Sequence, residues 1–199
     1  SKVLSLSKSL NSVCSLNISY NRMEPLGVHS LANSDFGRQL KFLQLRDTCL
    51  GNEGMKSLSS FRLDELESLD LSDNSISDVG LETLATSNTF TNIKKLVLNN
   101  NHIGDDGIYA LSQSNMFCSL ESLFLANNDL TTDSAISISE SRVLTQLKNL
   151  DINNNDIRAE GTKALSGSPN LKSIEYLDLG QNGLGSDGAK ALAQSPNMG

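Results

Sequence analysis

Three regularly spaced aspartates are the first side chains in this sequence that could do chemistry. Asp151 and Asp178 are 27 residues apart, and Asp70 precedes Asp151 by three such intervals. If the interval is a structural repeat, neighbouring carboxylates lie about 5 Å apart and repel by ~1 kcal/mol in water. A basic protein partner would relieve this repulsion. A calcium ion would need about six to eight oxygen ligands from a shaped loop, and the third interpretation is a solvated surface.

The other reactive side chains form no catalytic pattern. Neither His29 nor His102 is spaced to activate a serine or cysteine nucleophile. The cysteines Cys14, Cys49 and Cys118 form no CxxC metal pair and no disulfide framework, which favours a reducing compartment. We therefore expect a protein that is not an enzyme and that needs no cofactor or metal.

Composition restricts the possible partners. The chain has 199 residues, of which 38% are hydrophobic, enough for one domain with a sizeable core. Its net charge of −7, without clustered lysine and arginine, argues against nucleic acid and acidic membranes. There is no apolar run of about 18 residues, so we expect no membrane insertion. We expect a cytoplasmic protein, or one delivered into a host cell if it is a bacterial effector.

The aspartates belong to a repeat of 27 residues. The stretch "LVLNNNHIGDDGIYAL" at 96–111 recurs as "LDLSDNSISDVGLETL" from Leu69 and as "LDINNNDIRAEGTKAL" from Leu150. Apolar residues alternate at positions three and five of each unit, counting its first residue as position zero, and this period of two predicts a short strand with one buried face. The units begin at residues 13, 40, 66, 93, 120, 147 and 174.

An asparagine column follows the predicted strands. Backbone groups left unpaired in a buried turn cost roughly 1–3 kcal/mol each, and an asparagine amide can both donate and accept hydrogen bonds. We therefore predict a structural ladder that joins the turns of neighbouring units, with Thr48 in the one unit that lacks the asparagine. Its members at position eight are Asn21, Asn74, Asn101, Asn128, Asn155 and Asn182.

Glycine recurs at position fourteen, ahead of an apolar run. An acid precedes it in most units, as expected at a helix N-terminus, where free N–H groups favour negative charge. Because Ser134 replaces the glycine in the fifth unit, the position demands small size and not a positive φ. The β-branched residues of that unit lower helix propensity, so we predict a weaker or irregular helix there.

The pattern LxxLxLxxNxIxxxGxxxL resembles the leucine-rich repeat family, and its second half is similar to the ribonuclease-inhibitor-like subfamily. The resemblance implies an α/β solenoid shaped like a horseshoe, with a curved parallel sheet on the concave side and helices on the convex side, in which each unit packs only on its neighbours. In the ribonuclease inhibitors themselves, units of about 28 and 29 residues alternate, and cysteine often occupies the asparagine position. The resemblance therefore implies that this chain shares the architecture of these inhibitors, and it does not imply that the chain binds the same ligand.

Both ends of the sequence suggest one domain, residues 1–199, cut from a longer array. Residues 1–12 align without a gap on 162–173, the helix half of a unit, and Met198 matches Leu171. Solenoids need polar capping units, and neither end has one. We expect a fragment whose targeting signals and further domains lie outside this sequence.

In a horseshoe, the residues between the strand leucines line the concave face. Val97 and Phe124 are adjacent there, next to Ala126, on a face that is otherwise polar. Exposed aromatic residues ringed by polar groups are typical of interaction hot spots, although single apolar residues are also common on surfaces. Phe42 and Tyr176 lie too far along the arc to join this patch, and are separate anchors or have no role.

These observations favour a non-enzymatic scaffold, monomeric, that binds a protein of basic or mixed charge. Two alternatives remain: a GTPase-activating or GTPase-regulatory protein, which would depend on Arg46, and a structural spacer within a larger effector, sensor or ligase adaptor. The concave residues that we expect to contact the partner are Phe124, Val97, Tyr176, Asp151, Asp178, Asp70, Arg46 and Phe42.

Overall fold

Seven units, each with one strand and one helix, make up the computed structural model, which describes residues 12–32, 35–61, 63–87, 89–90 and 92–196. The partial unit expected over 1–12 and the match at Met198 lie almost wholly outside the described residues. The strands are β1 (Ser15–Asn17), β2 (Phe42–Gln44), β3 (Ser68–Asp70), β4 (Lys95–Val97), β5 (Ser122–Phe124), β6 (Asn149–Asp151) and β7 (Tyr176–Asp178).

The helices alternate with the strands along the chain. Short 3-10 helices at Asp35–Gln39 and Asn115–Phe117 precede β2 and β5. No helix in the described part of the chain combines the length and apolar character needed to span a bilayer. The α-helices are α1 (Glu24–Ala32), α2 (Gly51–Leu58), α3 (Asp78–Ala85), α4 (Asp105–Gln113), α5 (Thr132–Glu140), α6 (Arg158–Gly167) and α7 (Gly185–Ala193).

The strands form one curved, unclosed parallel sheet in the order β1-β2-β3-β4-β5-β6-β7. Each strand residue pairs with the same repeat position in the next unit, as Leu69 does with Leu96. The predicted α/β solenoid is therefore confirmed. Because the register follows the repeat, residues that share a position form a continuous row across the sheet.

The core lies between the sheet and the helices. Leu69 and Leu71, at positions three and five, are fully buried, as is Leu84 on the facing side of α3. Burying such a side chain contributes about 1.5–3 kcal/mol before the cost in chain entropy. Leu16 and Leu177 are only half-buried because, within the described part of the chain, β1 and β7 each pair with a strand on one side only. Stacking therefore buries the strand leucines fully only between two neighbours.

The asparagines at position eight hydrogen-bond the turns of neighbouring units. Asn74 accepts with its Oδ1 from the backbone N–H of Thr48, at 3.0 Å, and of Leu50, at 3.2 Å. Its Nδ2 donates to the carbonyl oxygens of Leu45 and Leu71, at 2.7 and 3.0 Å. Such bonds within and between units recur at Asn101, Asn128, Asn155 and Asn182.

The first position of the ladder differs. Asn21 is exposed, and among the described residues its Nδ2 donates only to carbonyl oxygens of its own unit, those of Ile18 and Ser19. Thr48, which replaces the asparagine in the second unit, donates through its hydroxyl to Leu45 at 2.7 Å. A hydroxyl has one proton to donate and a terminal amide has two, so the threonine makes fewer links than the asparagines.

Glycine at position fourteen allows close contact between successive helices. The backbone of Gly107 donates to the Asp78 carboxylate of the preceding unit at 3.0 Å, and a Cβ on that glycine would lie 2.6 Å from the same oxygen. The glycine has no positive φ, in agreement with the predicted demand for small size. In the fifth unit the Ser134 hydroxyl donates to the corresponding carboxylate, of Asp105.

The irregular helix predicted for the fifth unit is not present. Helix α5 is a regular α-helix of nine residues whose N-cap, Thr131, accepts from the backbone N–H of Asp133 at 3.3 Å. Asp105 accepts from the backbone N–H groups of Thr131 and Ser134, at 3.1 and 3.0 Å. These caps outweigh the low helix propensity of the β-branched residues.

Candidate functional site

A single row at position four brings together five of the eight concave residues singled out from the sequence. Phe124 pairs in register with Val97 on one side and with Asp151 on the other. Asp70 extends the row beyond Val97, and Asp178 extends it beyond Asp151. Neighbouring strands are about 4.8 Å apart, so the five side chains span about 19 Å. We call this set the central row.

The centre of the row is apolar. Val97 and Phe124 are half-buried, and the Lys95 ammonium lies 5.2 Å from the centroid of the Phe124 ring, in range of a cation–π contact. On the strand of Phe124 itself the flanking outward residues, Ser122 and Ala126, are small. Ala126 is only 8% exposed, so it adds little to the predicted apolar patch. The patch therefore consists of Val97 and Phe124.

Two aspartates and an asparagine form a polar network at one end of the row. Asn153 donates through Nδ2 to Asp178 at 3.3 Å, and its backbone N–H donates to Asp151 at 3.0 Å. Asp178 also accepts from the backbone N–H of Gly180 at 2.8 Å and from the Tyr176 hydroxyl at 3.4 Å. The hydrogen bonds of Asn153 thus link the two neighbouring carboxylates.

The two carboxylates of this network have opposite pKa shifts. Burial raises the pKa of Asp151, and the charge of Asp178 adds to the rise, although the hydrogen bond from Asn153 opposes it. The pKa of Asp178 is lowered, chiefly by the hydrogen bond from Gly180, against the opposing effect of burial. The charge of Asp178 raises the pKa of Tyr176. Asp151 is therefore the carboxylate of the pair whose charge is less favourable in the fold.

The side chain of Asp70, at the other end of the row, hydrogen-bonds only Ser72 among the residues that the structure describes. Its Oδ1 accepts from the backbone N–H of Ser72 at 3.0 Å and from the Ser72 hydroxyl at 2.7 Å. In the part of the chain that the structure describes, no lysine or arginine forms an ion pair with Asp70, Asp151 or Asp178. The acids at both ends of the central row thus lack a basic partner within the described residues.

The remaining predicted residues lie outside the central row. Phe42 and Tyr176 occupy the neighbouring row at position two and are about half exposed. They are on β2 and β7, five strand spacings or about 24 Å apart, so they do not share one patch.

Arg46 is held by its own chain. Its Nε lies 2.8 Å from Asp73 Oδ2, an ion pair in which both atoms are buried but hydrogen-bond geometry is not met. The guanidinium also lies 5.9 Å from the centroid of the Tyr20 ring. Both contacts fix the guanidinium against the concave surface.

Acids at the start of the strands behave differently from those of the central row. At position one, lysine and glutamate alternate from Lys41 to Glu175. Glu67 pairs with Lys41 at 3.5 Å and with Lys94 at 3.0 Å, and Lys148 pairs with Glu121 at 2.8 Å. We call this column the rim. The alternation of lysine and glutamate at the repeat spacing is visible in the sequence but was missed.

Position seven is constrained by the backbone. All seven residues there have φ between 49° and 61°, the left-handed region that asparagine and aspartate tolerate better than most other residues. Asparagine or aspartate occupies five of the seven positions, so the residue types are explained largely by this turn. The seven residues are Tyr20, Asp47, Asp73, Asn100, Asn127, Asn154 and Gln181.

The structure offers no candidate for a metal or redox site among the residues that it describes. No group of three or more histidine, cysteine or acidic side chains there could hold a metal ion. Cys14, Cys49 and Cys118 are free thiols at the surface. His102 forms an isolated β-bridge with Ser77 and has its Nδ1 at 3.9 Å from the exposed Asp129. His29 is in α1, so neither histidine belongs to the central row.

Comparison with known proteins agrees with this architecture. A solved structure of the tropomodulin C-terminal domain from Caenorhabditis elegans is similar, with a TM-score of 0.56 and 15% sequence identity, over 74% of this chain and 92% of that chain. At that identity the likeness shows the fold alone. No curated protein matches the chain by sequence.

A family model supplies the stronger comparison. The model described as "Leucine Rich repeat" matches residues 38–59, 66–85, 91–112, 143–166 and 170–193. These segments correspond to five of the seven units. Because the matches cover more than half of the 199 residues, the chain belongs to the leucine-rich repeat family.

Proposed function

We propose that this chain is a non-enzymatic scaffold that binds a protein partner on its concave face. Repeats of this family generally mediate protein–protein interactions. The observation that carries the proposal is the composition of the central row, in which Val97 and Phe124 lie side by side with acids beyond both of them. An apolar centre within a polar surround is the usual anatomy of a binding hot spot.

The partner has basic or mixed charge. The rim acids Glu67 and Glu121 are neutralised by lysines of the same chain, whereas none of the described ion pairs includes Asp70, Asp151 or Asp178. Basic side chains of a partner would relieve the repulsion between Asp151 and Asp178 and would steer its approach. Tyr176 and Phe42 would serve as outer anchors, since both are about half exposed.

Differential capture tests the proposal. Phe124→Asp and Asp151→Lys should each abolish capture of the partner by immobilised protein and leave the circular dichroism spectrum unchanged. Glu82→Lys is the matched control, because Glu82 is exposed on α3 and the charge change equals that of Asp151→Lys. A photo-crosslinking residue at position 124 should label the same partner, and one at position 82 should not. Capture unaffected by both concave variants would contradict the proposal.

The alternatives have their own tests. A GTPase regulator would stimulate hydrolysis in a turnover assay and lose this activity in Arg46→Ala. The contacts of Arg46 with Asp73 and Tyr20 give that interpretation no support, since they engage the guanidinium within the chain. A structural spacer would retain all its partners in both concave variants.

The proposal also covers the type of repeat, the oligomeric state and the location of the protein. We propose that its repeats are of the ribonuclease-inhibitor-like type and that the protein is monomeric, and cytoplasmic or delivered into a host cell. The repeated glycine at position fourteen followed by a helix supports this type. Sedimentation equilibrium that gave a dimer would contradict the monomer.

A further inference from the structure

We propose that the partner binds to the central row through an α-helix laid across the strands, with two apolar turns followed by two basic turns. This inference rests on the proposed function, because it assigns a shape and a residue pattern to the partner at the same surface. The apolar turns lie over Val97 and Phe124, and the basic turns over Asp151 and Asp178. A further basic residue one turn before the apolar pair would lie near Asp70.

The hydrogen bonding of the sheet favours a helix over an extended segment. Strands β3, β4, β5 and β6 each have a neighbour on both sides, so their backbone groups are already paired. An extended peptide lying across them would bury its own N–H and C=O groups without partners, at about 1–3 kcal/mol each. A helix pairs these groups internally and presents only side chains to the sheet.

The spacing of the row fits a helix as well. Measured from Val97, the next three side chains of the row are displaced by about 4.8, 9.6 and 14.4 Å. Helical residues i+3, i+7 and i+11 lie on one face at about 4.5, 10.5 and 16.5 Å from residue i, and the flexible stems of lysine and arginine absorb the last difference. An extended peptide repeats its face every ~6.7 Å, which is out of register by the second contact.

The width of the concave surface also fits an α-helix. The outward residues at positions two, four and six span about 13 Å along a strand, and a helix with its side chains is about 10–12 Å wide. Small residues flank two members of the row on their own strands, Ser122 and Ala126 around Phe124, and Ser68 and Ser72 around Asp70. A helix therefore reaches these two side chains without first meeting larger ones on the same strand.

Charge complementarity determines which turns of the partner helix carry basic residues. Asp151 and Asp178 are adjacent in the row and, among the residues that the structure describes, neither has a cation beside it. Lys95 is positive but lies over the Phe124 ring, on the apolar part of the row. The row therefore reads acid, apolar, apolar, acid, acid from β3 to β7, and an acidic helix would meet carboxylates at three of five positions.

A designed peptide tests this inference directly. The probe is a hydrocarbon-stapled helix with leucine at i and i+3 and arginine at i+7 and i+11 on a background of alanine and glutamine. The control peptide has the same sequence except for a proline at its centre, and it carries no staple. By fluorescence anisotropy, the stapled peptide should bind at least about tenfold more tightly than the proline peptide. Phe124→Asp should weaken its binding about tenfold or more, and Glu82→Lys should not.

A charge swap fixes the position of the helix. Asp151→Lys should weaken binding of the stapled peptide about tenfold, and replacing the arginine at i+7 by glutamate should restore most of that loss. Replacement at i+11 instead should restore less. Circular dichroism of each protein variant and of each peptide excludes misfolding as the cause.

Each failure has a separate meaning. Equal binding of the stapled and proline peptides, lost in Phe124→Asp, would overturn the helix and leave the concave scaffold intact. Binding of the stapled peptide that survives Phe124→Asp would overturn the assigned surface. No binding by either peptide would overturn the inference, while the proposed function would still be decided by partner capture with the concave variants.

Discussion

The carboxylate of Asp105 accepts two hydrogen bonds from Ser134 in the following unit, one from the backbone N–H at 3.0 Å and one from the hydroxyl. Thr131 adds two more, from its N–H at 3.1 Å and its hydroxyl at 2.7 Å. Burial alone would raise the pKa of Asp105, but these four hydrogen bonds hold it below its ordinary value. One side chain thus caps the helix of the next unit and links two units.

Removing this cap should destabilise the fold. Asp105→Ala deletes the acceptor of four hydrogen bonds at the start of α5, so we expect a loss of about 2–4 kcal/mol in the free energy of unfolding. Urea unfolding followed by circular dichroism measures it. Asp106→Ala is the matched control, because Asp106 follows Asp105 in α4 but is exposed. Its loss should cost less than about 0.5 kcal/mol. Equal losses would contradict the cap.

The asparagine ladder should be costly to interrupt in its middle. Asn101 Oδ1 accepts from the backbone N–H of Asn74 and Ile76, at 3.1 and 3.0 Å. Its Nδ2 donates to backbone carbonyls of its own unit and to one of the preceding unit. Asn101→Ala leaves these buried groups unpaired, and we expect a loss of about 3 kcal/mol or more in unfolding free energy. Asn21→Ala, at the same position of the first unit, should cost far less because the Asn21 side chain is exposed. If both variants lost the same unfolding free energy in chemical denaturation, the hydrogen bonds of Asn101 to the neighbouring unit would contribute nothing to stability.

The repeat spacing was sufficient to predict the fold and the members of the central row. Leucines at positions three and five specify a strand buried on one face, and the repeat interval between the units places Val97 beside Phe124 without further information. These features follow from the fixed geometry of a strand. They depend little on the exact contacts of any side chain.

Contacts between different positions of neighbouring units could not be predicted in this way. Asp78 and Asp105, at position twelve, bond residues at positions eleven and fourteen of the next unit, and only the offset between stacked helices reveals this. The low propensity around Ser134 predicted an irregular helix, because the cap from Asp105 was unknown. The opposite pKa shifts of Asp151 and Asp178 likewise depend on hydrogen bonds that spacing does not specify.

The left-handed turn should select residues at position seven. Asn100 has φ of 57° and is exposed, so substitutions there affect mainly the backbone conformation. Asn100→Val should lose about 1–2 kcal/mol of unfolding free energy, since a β-branched residue is disfavoured in this region. Asn100→Gly should be near neutral or stabilising. Thermal unfolding of the pair measures the difference, and a valine variant as stable as the glycine variant would contradict this reading of the turn.

The raised pKa of Asp151 should make stability depend on pH. Its folded pKa lies above the ordinary value of 3.8, so the native state binds more protons than the unfolded state in that interval, and stability falls as pH rises through it. Asp151→Asn should therefore unfold at higher urea than wild type at pH 7, and the difference should shrink in acid. The control is Asp64→Asn, at an exposed site. A variant less stable than wild type at pH 7 would refute the assignment.

The alternating rim should make stability depend on salt when its pattern is broken. Glu121 pairs with Lys148 at 2.8 Å and also faces the charge of Lys94, so Glu121→Lys places three ammonium groups in consecutive units. Because charges at the surface are screened beyond about 10 Å at 0.1 M salt, the loss of stability should be largest at low ionic strength and recover with added sodium chloride. Glu121→Gln, which removes the pair without adding repulsion, should lose less and respond less to salt. Melting temperatures of Glu121→Lys that fall equally at low and high salt would mean that packing, and not charge alternation, governs the rim.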